Sequence, residues 1–183
     1  MADQTKGYFG IGVERISKPM NLGNLFRSAH AFGASFLFTI EAATKIGRPR
    51  SDTSASADSL PTWHYNSPGD LSLPEDCTLV AIELVDDAQV LPSFRHPRRA
   101  AYVFGPEIGS LSLEVLARAD SVVQIPTRFC INLAAAGVVV MYDRLISLGR
   151  FAERPVSEHA QAAPLAPPVH GDKIKHSGRR QNV

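Results

Sequence analysis

Short apolar runs, each followed by loop chemistry and with an amphipathic stretch between the first two, most constrain what this chain can fold into. The segment YFGIGVERI is short and β-prone and ends at Ser17-Lys18-Pro19, which reads as a strand running into a loop. From Asn21 the pattern NLGNLFRSAHAFG sets Leu22, Leu25, Phe26, Ala29 and Phe32 near one face at helical spacing, with Asn21 as cap and Gly33 as stop. SFLFTI then reads as a buried strand. Strand, loop, helix, strand is the unit of a parallel sheet with crossover connections. TLVAIEL and AAYVFG fit interior parallel strands, SLEVLARAD a short helix, SVVQIP a further strand, and INLAAAGVVVMYDRLISLGRF a long helix of about 20 residues. The expected fold class is α/β, a mostly parallel sheet flanked by helices.

With 183 residues the chain has room for one domain and a tail. The domain is expected over residues 1–152. Residues 153–183 turn to Ala, Pro, His and scattered charge without apolar periodicity and are expected to be a disordered tail. Residues 44–76, rich in Ser, Pro, Gly and Asp, read as a long insertion with a short helix through Ser54 to Leu60. No apolar run reaches the roughly 18 residues that span a bilayer, and the N-terminus lacks a secretory pattern, so the expected compartment is the cytoplasm, with no membrane partner. Cys77 and Cys130 make neither a C-x-x-C pair nor a zinc set with the six histidines, so no metal is expected. The long helix is apolar nearly all round, with Ala134, Ala135, Ala136 and Gly137 small enough for close backbone approach, which predicts a homodimer.

The net charge of +1 does not advertise a nucleic-acid binder, but it averages over two basic clusters: Lys45, Arg48 and Arg50, then Arg95, Arg98 and Arg99. Either cluster taken alone reads first as a set of solvated loop charges, and its weight comes from context. Three segments at strand ends stand out, because open α/β sheets bind ligands beyond the carboxyl ends of their strands. In the first, Asn24 and Arg27 share a helical face beyond Asn21, which suits a guanidinium gripping phosphate or ribose, or simply a capped helix with a surface arginine. In the second, FGPEIGSLS, Gly105 and Pro106 shape a turn that presents Glu107. The segment matches neither a Walker loop nor G-x-G-x-x-G, and Glu107 could equally open the helix from Ser112. In the third, IPTRFCINLAAAG, Cys130 and Asn132 open the long helix, where free backbone N–H groups can hold a small ligand. Cys130 has no histidine placed beside it by sequence, and no nucleophile elbow is present, which argues against a hydrolase.

Together and in this order, the segments resemble the three motifs of the SpoU/TrmH family of SPOUT RNA methyltransferases, over about residues 8 to 150. Asn21-x-Gly23-x-x-x-Arg27 with Ala29 to Gly33 resembles motif one, FGPE at 104–107 motif two, and Ile125-Pro126 with Asn132 and the small residues motif three. The resemblance implies a SPOUT fold with a C-terminal deep trefoil knot and a homodimer through the long helix and knot. It also implies S-adenosylmethionine as methyl donor and RNA as substrate, tRNA ahead of rRNA. On it, Arg27, Asn21, Glu107 and Asn132 are catalytic-site residues, and Ile82, Gly105, Ile125, Cys130 and Leu133 touch the cofactor. The activity implied is transfer of a methyl group to a ribose 2′-hydroxyl. Both basic clusters, with Trp63, His64 and Tyr65 for stacking, are then candidates for holding RNA.

The sequence departs from the family pattern in motifs two and three. Gly109 comes one position early, with Ser110 in the usual glycine slot. Cys130 stands where serine is usual, and the stretch from Ile125 to Asn132 is about three residues short. These departures motivate an alternative, a catalytically weakened dimeric RNA-binding or assembly factor with the same fold.

Overall fold

A computed structural model describes residues 7–42, 60–149 and 151. Residues 1–149 form one compact unit and residues 150–183 a second, of which only Phe151 is described. The expected tail, the helix expected at Ser54 to Leu60 (Leu60 apart) and the basic cluster Lys45, Arg48 and Arg50 lie outside the described residues.

Seven strands make one sheet, in chain order β1 (Tyr8–Glu14), β2 (Phe36–Ile40), β3 (Thr62–Tyr65), β4 (Thr78–Ile82), β5 (Gln89–Val90), β6 (Arg99–Phe104) and β7 (Ser121–Gln124). The spatial order is β3-β2-β1-β6-β4-β7-β5, and every pairing is parallel. The expected parallel α/β sheet is therefore present. β1 and β6 hold the centre and are buried almost throughout, as runs such as YFGIGVE and RAAYVF require of strands covered on both faces. Two strands escape the sequence reading. TWHY pairs with β2 at the sheet edge, inside the stretch expected to be insertion, and the two-residue β5 sits at the other edge.

Among the described residues three α-helices cover the sheet: α1 (Pro19–Ala31), α2 (Leu113–Arg118) and α3 (Leu133–Leu148). Leu22, Leu25, Phe26 and Ala29 of α1 share a core with Val140 and Met141 of α3, while Val115 of α2 belongs to a second core with Phe36 and Phe38. α1 and α3 therefore pack together over one face of the sheet, and α2 covers the other. A Cβ on Gly137 would stand 2.2 Å from Leu25 Cδ1. The close approach expected of the small residues is, at this glycine, made to α1 within the same chain.

α3 has 16 residues, shorter than expected, and is not apolar all round. Asp143 and Arg144 turn inward near its end. Arg144 donates to the carbonyls of Pro97 (2.5 Å), Arg98 (2.8 Å) and Tyr8 (3.3 Å) and to the Tyr102 hydroxyl (3.1 Å). Its guanidinium also lies over the rings of Phe9 and Tyr102. His96, itself buried, bridges Tyr102 Oη (2.6 Å) and Asp143 Oδ2 (2.9 Å). This cluster fixes α3 to the amino ends of β1 and β6 and leaves the other end of the sheet to the site.

Candidate active site

The loop after β1 reaches the sheet's carboxyl end through a left-handed residue, Arg15 at φ 51°, and then enters α1 at Pro19. The helix starts two residues before the expected position. Proline at its first turn sets the start, and Lys18 occupies the cap position with no side-chain cap bond, so Asn21 is not the cap. The side chain of Asn21 is instead committed to tertiary contacts. Its Nδ2 donates to Glu107 Oε1 at 3.1 Å, and its Oδ1 accepts from Asn132 Nδ2 at 3.1 Å. Asn132 in turn caps α3 by accepting from the backbone N–H groups of Ala134 (2.9 Å) and Ala135 (3.4 Å).

Glu107 is the hub on the opposite wall. Its Oε2 accepts from Ser17 N (3.2 Å) and Ser17 Oγ (3.1 Å), and its Oε1 also accepts from Lys18 N (3.1 Å). Burial pushes the carboxyl up, but hydrogen bonds from its own N–H, Ser17 and Asn21 outweigh burial and hold it below the usual carboxylate value. Glu107 thus serves the β1–α1 loop rather than the opening of α2, whose cap is Ser112 accepting from Val115 N at 3.1 Å. In the turn after Glu107, Gly109 takes φ 97° while Ser110 needs no positive φ. The left-handed position of this turn therefore falls on the glycine and not on Ser110.

These residues wall a cleft of about 420 Å³ at the carboxyl ends of β4 and β6. Asn21, Glu107 and Asn132 line it, as do Ile82, Gly105, Ile125, Cys130 and Leu133. The cleft therefore gathers eight of the nine residues expected at the catalytic and cofactor sites. Phe104, Ile131 and Ala136 add apolar wall, and Lys18 and Glu83 add charge. None of the described residues lining it is a histidine, so Cys130 faces the cleft without the histidine partner of a thiol nucleophile.

The sequence profile of the SpoU rRNA methylase family matches residues 9–142. The chain belongs to this family. Among solved structures it is similar to the SpoU methyltransferase AviRb from Streptomyces viridochromogenes in complex with AdoMet, with TM-score 0.69 and 25% identity over 77% of this chain and 60% of that one. It thus spans about three fifths of AviRb. It is also similar to an enzyme whose structure gives insight into the 2-OH methylation of C/U34 on tRNA, with TM-score 0.66 and 24% identity over 78% of this chain and 91% of that one. The A. aeolicus TrmH/SpoU tRNA modifying enzyme is similar at TM-score 0.68 and 18% identity, over 76% of this chain and 74% of that one. No curated protein sequence matches the chain.

The SpoU-like motifs thus meet through side chains, with the exception of Arg27. Arg27 and Asn24 are exposed on the outward side of α1, and Arg27 is not among the lining residues. Arg95, Arg98 and Arg99 are exposed at or before the start of β6, a strand's length from Phe104 in the cleft, and Arg99 pairs with Asp76 at 3.0 Å. Trp63 is half-exposed against the Phe36 ring, His64 bonds Thr39 Oγ1 at 2.8 Å, and Tyr65 donates to Ser72 O at 2.6 Å. Among the described residues no cluster of His, Cys, Asp or Glu could hold a metal, and no helix is long and apolar enough to cross a membrane. Sequence reasoning missed Ser17, Lys18 and Glu83. The signals available were the Ser-Lys-Pro turn and a lone acid closing the apolar run TLVAI.

Proposed function

We propose that this chain transfers a methyl group from S-adenosylmethionine to a ribose 2′-hydroxyl of RNA, tRNA ahead of rRNA, and acts as a homodimer. The observation that carries this reading is the Glu107–Asn21–Asn132 chain of hydrogen bonds, which joins three distant motifs along one cleft. The cleft fits such a cofactor: its volume of about 420 Å³ is in the small-molecule range, with Ile82, Phe104, Ile125 and Leu133 for an adenine and carboxylates for a cationic ligand. AviRb was solved with AdoMet, and the relative concerned with tRNA is matched over 91% of its length, which supports the tRNA preference.

When bound, the cofactor supplies a methyl group on a sulfonium, already activated for attack by an oxygen nucleophile. What remains for the protein is positioning and the loss of one proton. Ionised Glu107 fixes the amide of Asn21, whose oxygen fixes Asn132, so the polar wall is set before substrate arrives. Arg27, exposed and without a hydrogen bond or ion pair among the described residues, is free to clamp phosphate and the 2′-oxygen. A guanidinium stays protonated and has no free lone pair to take a proton, so its role is electrostatic. The intact network favours transfer over the weakened-factor alternative. Val138, Val139, Tyr142, Leu145 and Ile146 leave an apolar stripe exposed along α3, which supports a partner there.

The test is mass spectrometry of RNA nucleosides from cells with and without the gene, with calorimetry of S-adenosylmethionine on the purified protein. A single missing 2′-O-methyl nucleoside mapping to tRNA is the expected result. No change in ribose methylation and no cofactor binding at millimolar ligand would overturn the reading. Arg27→Lys with full turnover would remove the clamp, because lysine cannot reproduce the planar fork.

A further inference from the structure

We propose that Glu83, together with Glu14 and Arg15, positions the backbone wall of the cleft by gripping three consecutive residues of the loop that follows Glu107. The inference rests on the reading of the cleft as the cofactor site. Glu83 closes the β4 run and lines the cleft; its Oε2 accepts from Leu111 N at 2.7 Å and its Oε1 from Leu84 N at 2.9 Å. Glu14 ends β1 fully buried, and its Oε2 accepts from Ser112 N at 2.7 Å. Arg15, the next residue, donates to Ser110 O at 2.5 Å. Ser110, Leu111 and Ser112 are thus each held by a side chain from the end of β1 or from the residue just past β4.

Two features argue that this grip is more than incidental packing. Glu14 Oε1 is buried with no hydrogen-bond partner among the described residues, a costly state that an apolar residue would avoid. Arg15 is held at φ 51°, a left-handed conformation that is unfavourable for a residue with a Cβ. Both costs sit where the loop is gripped. The loop also has little slack, since a Cβ on Gly105 would lie 3.2 Å from Leu111 N and 3.4 Å from Glu83 Oε2. Losing the bond at Leu111 therefore frees the segment that carries Gly105, Pro106 and Glu107 into the cleft. Glu83 acts through that backbone and is a positioning residue.

The experiment compares wild type, Glu83→Ala and Glu83→Gln by amide hydrogen exchange across residues 105–112 without cofactor, by calorimetry with S-adenosylmethionine, and by steady-state kinetics. Glu83→Ala is expected to speed exchange at Leu111, weaken cofactor binding about 10- to 100-fold, as loss of a bond to a charged group does, and raise KM for the cofactor by more than it lowers kcat. Glu83→Gln, whose amide oxygen still accepts from Leu111, recovers most of each effect. Unchanged exchange in Glu83→Ala overturns the grip, and faster exchange with wild-type affinity overturns the positioning role. Wild type that binds no cofactor overturns the methyltransferase reading, while exchange still decides the grip. Should Glu83→Ala not fold, Arg15→Ala, at a half-exposed side chain, puts the same question through Ser110: faster exchange with weaker cofactor binding supports the proposal, and no change in either overturns it.

Discussion

Two polar clusters sit at opposite ends of one sheet and are built to opposite specifications. At the amino ends, Arg144 donates to three backbone carbonyls and the Tyr102 hydroxyl, and buried His96 spans Tyr102 and Asp143. That cluster is closed on itself. At the carboxyl ends, Glu107, Asn21 and Asn132 are linked by single bonds of 3.1 Å and keep one side on the cleft. Polar groups buried and fully partnered hold a fold; polar groups held in place but left facing space can act on a ligand. The comparison predicts that the two clusters come apart under mutation, one through stability and the other through turnover.

The largest effect is expected from Arg144→Ala. It removes four donated bonds at once, to the partly buried carbonyls of Tyr8, Pro97 and Arg98 and to the Tyr102 hydroxyl, which keeps its bond to His96, and should lower stability by about 3–4 kcal/mol in denaturant unfolding. Cofactor affinity of the molecules that remain folded should stay near wild type. A variant of wild-type stability would dissolve the contrast between the two ends.

Glu107→Gln tests the other end. The amide can accept from only one of the two sets of donors now facing Oε1 and Oε2, so turnover should fall about 10- to 100-fold while stability changes by less than about 1 kcal/mol. Because the folded carboxyl is held below its ordinary value, the ionised form contributes stability that is complete above that ordinary value and fades as pH falls through the lowered one. Turnover measured downward in pH should therefore show no loss from Glu107 across the usual carboxylate range. A loss centred in that range, absent from Glu107→Gln, would contradict the hub.

Asn132 belongs to both economies, since its oxygen caps α3 and its amide reaches Asn21. Asn132→Ala should cost about 1 kcal/mol as a lost cap, together with turnover. Asn132→Ser keeps a capping oxygen and should restore most of the stability without the turnover. Thermal unfolding and kinetics on the same two samples read both effects, and equal recovery of the two would merge the roles.

How far these roles could be read from sequence depended on range. The central strands, the helical faces and the strand-end motifs follow from local patterning, which is why β1, β2, β4, β6, β7 and the helices α1, α2 and α3 were legible. TWHY was not, because four residues at a sheet edge, embedded among Ser and Pro, carry too little periodicity to separate from loop. Proline at the start of α1 was a legible signal that the capping preference of Asn21 overrode. Asn21 and Glu107 lie 86 residues apart in sequence, so no window could show that they bond to one another rather than within their own segments. Asp143 and Arg144 are the two charged residues of a helix that otherwise reads as apolar nearly all round. Their burial depends on carbonyls that only the assembled sheet brings to them.

The smallest effect, and the sharpest test of closure at the amino ends, is the titration of His96. Burial lowers the imidazole below its ordinary 6.5; the bond to Asp143 raises it, and the nearby Arg144 lowers it further. A base whose folded value is depressed is neutral in the fold, so its contribution is complete above 6.5 and is lost progressively as pH falls from there to the lowered value, where the unfolded chain binds the extra proton. Stability of the wild type should therefore decline with falling pH in that window. His96→Gln can still bond Asp143 but takes up no proton, so its stability curve should be flatter there, from a lower plateau. Parallel curves for the two proteins would mean that His96 is solvated or charged in the fold, and the cluster would then be no more closed than the cleft it is compared with.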